Sequence, residues 1–226
     1  MREIILDTET TGVSIKQGHK IIEIGAVELK NKLPTGRSFH SYLNPKREVS
    51  KEAYKIHGIS DDFLKNKPVF QDIAESLLNF VSDGYLVMHN ASFDVNFLNH
   101  ELNLVNKDNI DQSKVICSLE LARKLYPGTK VNLNALCKKF KISLEDRVLH
   151  GALKDARLLA QVYSYMTQQE QSTLLVNYNL EEKKKLRASH AKNLNKNIIY
   201  PTQKELSSHK EMLQQIKNNL WFKIVR

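Results

Sequence analysis

The chain is short of the residues that would mark several protein classes. It has two cysteines, Cys117 and Cys137, in neither a zinc nor a dithiol spacing. A disulfide scaffold is thereby excluded, and two reduced thiols packed among apolar side chains are expected. Eight glycines and five prolines are too few for a low-complexity or collagen-like chain. No stretch approaches the roughly 18 consecutive apolar residues of a membrane span. The opening Met1-Arg2-Glu3-Ile4-Ile5-Leu6 meets Asp7 before an apolar leader could form, so a soluble, cytoplasmic protein is expected. Nothing recurs at a period of roughly 20 to 50 residues, which excludes a solenoid.

The composition that is present, 41% hydrophobic and 26% charged, is that of a globular protein. The 226 residues suffice for one well-buried domain with an appendage. The net charge of +9 is unevenly spread: residues 1–166 hold 23 Lys and Arg against 20 Asp and Glu, and residues 167–226 hold 11 against 5. A polyanionic partner suits such a chain, yet most of the excess lies in the last quarter.

Hydrophobic periodicity gives a coarse map. Glu3–Leu6, Ile21–Leu29 and Phe39–Leu43 read as strands, antiparallel because their links are short. After Asn44-Pro45 the spacing turns helical. Ser50 caps a short helix, and Phe70–Val81 places Ile73, Leu77, Leu78 and Val81 on one face. Tyr85–Met88 reads as a buried strand. Helices then follow Ser92, Ser118 and Asn132, and a last one covers Gly151–Met166. The pattern predicts a mixed α/β domain around one sheet, over residues 1–168.

Against this map the acidic residues fall in suggestive places. Asp7 and Glu9 in Asp7-Thr8-Glu9-Thr10-Thr11-Gly12 lie two apart at a strand end, on the same face of the sheet. Paired carboxylates repel each other, and a hard cation such as Mg²⁺ or Mn²⁺ relieves that repulsion. Alone, the pair fits a solvated strand end more readily than a metal site. Asp94, in His89-Asn90-Ala91-Ser92-Phe93-Asp94, follows a buried strand and opens a helix. His150 and Asp155, in His150-Gly151-Ala152-Leu153-Lys154-Asp155, open the last helix of the domain. His89 is read as structural and Asn90 as a loop-closing hydrogen bonder.

Together these motifs resemble the DEDDh exonucleases of the DnaQ-like, ribonuclease H-like superfamily, and within it the epsilon family of bacterial DNA polymerase III. All four acidic positions and the histidine stand in the family's order. The resemblance implies a five-stranded mixed sheet flanked by helices and 3′→5′ hydrolysis of a terminal phosphodiester with two divalent cations, Mg²⁺ or Mn²⁺. Proofreading of DNA is the activity implied. By the same resemblance the metal ligands would be Asp7, bridging both ions, Glu9 and Asp155 on the first, and Asp94 on the second. His150 would be the general base, an imidazole being suited to proton transfer near neutral pH. Glu52 would accept from the sugar 3′-hydroxyl and His57 would approach the nucleotide, so Asp7, Glu9, Glu52, His57 and Asp155 would meet substrate. An RNA-trimming relative and a non-catalytic replication scaffold are the alternatives.

Beyond the domain, residues 169–197 read as a flexible connector rich in Lys, Asn and Gln. Gln171 to Val176 stands where the family has a sliding-clamp motif, although it lacks the terminal aromatic. Thr202-Gln203-Lys204-Glu205 fits a capping box ahead of a helix with an apolar stripe. Residues 198–226 resemble the tail that binds the polymerase III alpha subunit, the other expected partner besides the DNA 3′ end.

Overall fold

The computed structural model of the chain describes residues 1–144, 149–168 and 200–215. They fall in two compact units, Met1–Leu174 and Leu175–Arg226.

The first unit is built on a five-stranded sheet. Its strands are β1 (Arg2–Thr10), β2 (Ile21–Lys30), β3 (Leu33–Tyr42), β4 (Tyr85–Met88) and β5 (Val115–Cys117). Their spatial order is β3-β2-β1-β4-β5. β1, β2 and β3 pair antiparallel through short links, whereas β4 and β5 join parallel to β1 after helical crossovers. The helices are α1 (Lys51–His57), α2 (Asp61–Leu64), α3 (Phe70–Val81), α4 (Ala91–Leu104), α5 (Ser118–Leu125) and α6 (Leu133–Lys139), followed by α7 over residues 152–168.

Both faces of the sheet are covered, which is why β1 reads as an apolar run instead of alternating. Ile4 and Leu6 point to one face and pack with Leu77 and Phe80 of α3 and Phe97 and Leu98 of α4. Ile5 points to the other and packs with Ala122 of α5, Leu136 of α6, and Leu159 and Val162 of α7. The same alternation continues into the acidic motif. Asp7 and Glu9 therefore share the α7 face with Ile5, while Thr8 turns toward α4.

Several expectations are corrected. β1 extends past the apolar run Glu3–Leu6 to Thr10, so Asp7 and Glu9 stand near the strand's end, as expected, opposite Gly25 and Glu23 of β2. β3 begins at Leu33, well before Phe39. Ser92 does not cap α4: the helix starts at Ala91, and Asn90 occupies the cap position with a left-handed φ of 71°. Ser118 is likewise inside its helix, where its hydroxyl donates to the Met88 carbonyl at 3.0 Å. β5 and α2 had no periodic signal. The expected caps of α1 and α6 are present, with Ser50 accepting the Ala53 amide and Asn132 the Ala135 amide. Cys117 is half-buried and Cys137 buried, and neither is in a disulfide.

In the second unit, α8 (Gln203–Gln215) opens with the expected box: the Thr202 amide donates to Glu205 Oε2 at 2.7 Å and the Glu205 amide to Thr202 Oγ1 at 3.3 Å. The clamp-like segment, Gln171 to Val176, and the connector lie outside the described residues, as does the chain after Gln215. No helix among the described residues is long and apolar enough to cross a membrane.

Candidate active site

Asp7, Glu9, Asp94, His150 and Asp155 line one cavity of about 290 Å³, together with Thr8, His89, Phe93 and the first turn of α6. Three elements deliver them. β1 contributes the carboxylate pair from its second half, where the strand pairs with β2 and the two residues lie opposite Gly25 and Glu23. α4 carries Asp94 in its first turn, and α7 carries Asp155 in its own. His150 precedes α7 and is anchored by its backbone amide, which donates to the Ile56 carbonyl of α1 at 3.2 Å.

Ligand atoms of Glu9, His150 and Asp155 all lie within 4.8 Å of one another. The His150 Nδ1 is 3.4 Å from Asp155 Oδ2; the imidazole is 44% exposed, whereas the carboxylate is nearly sealed. An imidazole open to water beside a buried carboxylate can take up a proton and have the resulting charge balanced. Although five residues apart, the two meet because His150 lies outside the helix, so helical spacing does not separate them.

Electrostatics single out Asp7 and Asp94. Burial lifts the Asp7 carboxyl well above its usual range, and the negative charges of Asp94, Glu9, Asp155 and Glu23 lift it further. Burial pushes Asp94 up to about 7 against the pull of the Thr8 hydroxyl and backbone amides. That hydroxyl donates to Asp94 Oδ1 at 2.7 Å across the sheet–helix junction. Four carboxylates thus crowd a small volume that favours keeping protons or gaining cations.

A second cavity of about 320 Å³ adjoins the first, sharing Thr8, Glu9 and Phe93 with it. Glu52, Ala53, Ile56 and His57 of α1 form its far wall. Burial holds the His57 imidazole below its usual pKa, and its Nδ1 accepts the Ile59 amide at 3.0 Å. A neutral ring in that state keeps its proton on Nε2. The floor is tight at Gly12, where an added Cβ would meet the His19 ring at 2.4 Å.

The residue pattern offered no sign of Thr8, Glu23 or Gly25. Thr8 positions Asp94. Glu23 accepts the Ala152 amide at the start of α7 at 3.0 Å. Gly25 leaves the space into which α7 settles: a Cβ there would stand 2.0 Å from the Leu153 nitrogen. His89, read from sequence as structural, lines the cavity, and its Nδ1 is 3.0 Å from the Ser118 hydroxyl.

A family model described as Exonuclease matches residues 4–163. The DNA polymerase III subunit epsilon of Rickettsia felis is 50% identical over 222 residues, covering 96% of this chain and 97% of that one. The corresponding protein of Salmonella typhimurium is 40% identical over 238 residues, covering 96% and 93%. Among solved structures, the nuclease domain of 3′hExo, described as a DEDDh family member bound to rAMP, superposes with a TM-score of 0.65 at 20% identity. It covers 74% of this chain and 92% of its own, and shares the fold.

Proposed function

This chain belongs to the exonuclease family, in the branch whose curated members are named DNA polymerase III subunit epsilon, and from that premise we propose that its proofreading chemistry takes place in the cavity between β1, α4 and α7. The chain is a 3′→5′ exonuclease. The observation that carries the assignment of the site is the convergence of Asp7, Glu9, Asp94, His150 and Asp155, from separate elements, on that one cavity.

The residues fit a pair of hard divalent cations. The acidic donors offer oxygen alone, and two of them, Asp7 and Asp94, hold their protons unusually firmly because of burial and nearby negative charge. Such a cluster is relieved by Mg²⁺ or Mn²⁺. Asp7 would serve both ions, Glu9 and Asp155 one, and Asp94 the other. When bound, the ions would neutralise charge that develops on the scissile phosphate.

The remaining work falls to the chain. His150 takes a proton from the attacking water, and the Asp155 carboxylate beside it balances the imidazolium. Thr8 keeps Asp94 aimed into the cavity. The terminal nucleotide enters the neighbouring cavity, where Glu52 accepts from the 3′-hydroxyl and His57 donates through Nε2. The product is a nucleoside 5′-monophosphate.

The test is digestion of a primer with a mispaired 3′ end, and of its RNA counterpart, in Mg²⁺ or Mn²⁺. Release of 5′-monophosphates from DNA is expected, with loss of release in Asp7→Ala. Activity persisting in that variant would overturn the site. As for partners, we propose that residues 198–226 bind the polymerase subunit and that Gln171 to Val176 meets a sliding clamp. The capped helix in the tail supports the first, because an amphipathic helix on a tether raises local concentration at the primer end.

A further inference from the structure

Outside the five site residues, a buried carboxylate contacts the start of α7, the helix that carries Asp155 and is preceded by His150. Glu23, in mid-β2, is 2% exposed. It lies directly across the strand pair from Glu9, and two residues before Gly25, the partner of Asp7. Its Oε2 accepts the Ala152 amide at 3.0 Å, and its Oε1 is 2.8 Å from Nε2 of His40 on β3. The Tyr42 hydroxyl also hydrogen-bonds to this carboxylate.

Ala152 is the first residue of α7. Its amide is one of the donors that a helix start leaves without an intrahelical partner, and the helix dipole makes that end positive. A buried carboxylate placed there forms a charge-assisted bond, stronger and more directional than one between neutral groups. At the other end of the helix, the Tyr163 hydroxyl donates to buried Glu3 at 2.9 Å. α7 is thus fastened to the sheet at both ends, and the Glu23 fastening lies between His150, two residues before it, and Asp155, three residues after it. Gly25 supplies the complementary feature, an absent side chain that lets the helix backbone settle on the sheet.

We propose that Glu23 is a positioning residue for the exonuclease site: it sets the height and rotation of the start of α7, and through them the separation of His150 and Asp155 from Asp7 and Glu9. The inference rests on the site assignment above. It carries a specific division of effects. Substrate enters the cavity walled by α1 and Phe93, whose lining does not include Glu23, so KM should hold while kcat falls. Cation affinity should fall as well, because Asp155 is displaced from its acidic neighbours.

The experiment compares the full-length protein with Glu23→Ala and the isosteric Glu23→Gln. Manganese binding is read by electron paramagnetic resonance, the Ala152 amide by NMR, and kcat and KM on a single-stranded oligonucleotide. For Glu23→Ala, kcat and Mn²⁺ affinity should each fall about 10- to 100-fold, with KM within about twofold and the Ala152 amide proton shifted upfield. Glu23→Gln keeps an acceptor oxygen for Ala152 and should recover most of the loss. Unchanged Mn²⁺ affinity and kcat in Glu23→Ala would overturn the inference while leaving the site intact. If Glu23→Ala does not fold, the decision passes to Glu23→Gln with Tyr42→Phe, which together leave the Ala152 bond and should keep Mn²⁺ affinity within about threefold of wild type; a larger loss would overturn it. Should wild-type protein show neither Mn²⁺ binding nor hydrolysis, the site reading itself falls.

Discussion

Thr8 sits between the two carboxylates of β1 yet acts on a third, because strand alternation turns it to the opposite face, where its hydroxyl meets Asp94. Thr8→Val keeps the shape and removes the donor. Asp94, already at about 7, should then hold its proton more firmly, and Mg²⁺ or Mn²⁺ must displace it. Metal affinity near neutral pH is expected to fall about tenfold, measured by calorimetric titration. The same carboxylate sets a pH dependence. Its folded-state pKa lies above its unfolded one, so between about 4 and about 7 the folded protein binds more protons than the unfolded chain, and stability declines as pH rises through that window. Asp7 is shifted in the same direction. Cation-free protein in EDTA should therefore melt at a lower temperature near pH 8 than near pH 5.5. Added Mn²⁺ should raise the melting temperature more at the higher pH. A melting temperature that climbs with pH in EDTA would contradict the buried, proton-holding cluster.

At the scale of elements, the relation of α7 to β2 decides whether the site exists. Gly25→Ala places a methyl 2.0 Å from the Leu153 nitrogen, a backbone atom that can move only if the helix moves. The expected result is a loss of about 1–3 kcal/mol or more in stability, by urea titration, and loss of hydrolysis in the fraction that remains folded. Local chemistry made other elements legible in advance. Ser50, Asn132 and Thr202 each cap the helix they announce, and the apolar spacing of Phe70–Val81 marks α3 to the residue. β5 has only three residues and no room for alternation. The polar half of β1, Asp7 to Thr10, lacks the apolar signal of Glu3–Leu6 and is held by its pairing with β2. The left-handed φ at Asn90 starts α4 ahead of the better-looking cap at Ser92. The five residues that line the cavity were readable because their order along the chain is a motif. Glu23, Gly25 and Thr8 were not, because each acts on a partner far along the chain, 129 residues away for Glu23 and Ala152.

Over the whole molecule, charge is divided as function would require. The region that holds four carboxylates against a polyanionic substrate is almost neutral, and the basic excess lies after residue 166. Affinity for DNA then depends on cations and on delivery by a partner, not on a broad basic surface. Deleting residues 198–226 should abolish co-purification with the polymerase subunit and leave hydrolysis of a free oligonucleotide within about twofold of the full chain. Loss of both would show that the tail supports the domain instead. A last consequence follows from the span of the site. Asp7 is made well before β4, the parallel neighbour of β1, and farther still ahead of His150 and Asp155. At roughly 5–20 residues per second, a ribosome exposes the acidic strand for several seconds before His150 and Asp155 emerge. A chain that ends before α7 should accordingly release no nucleotide from a 3′ end, since it lacks His150 and Asp155.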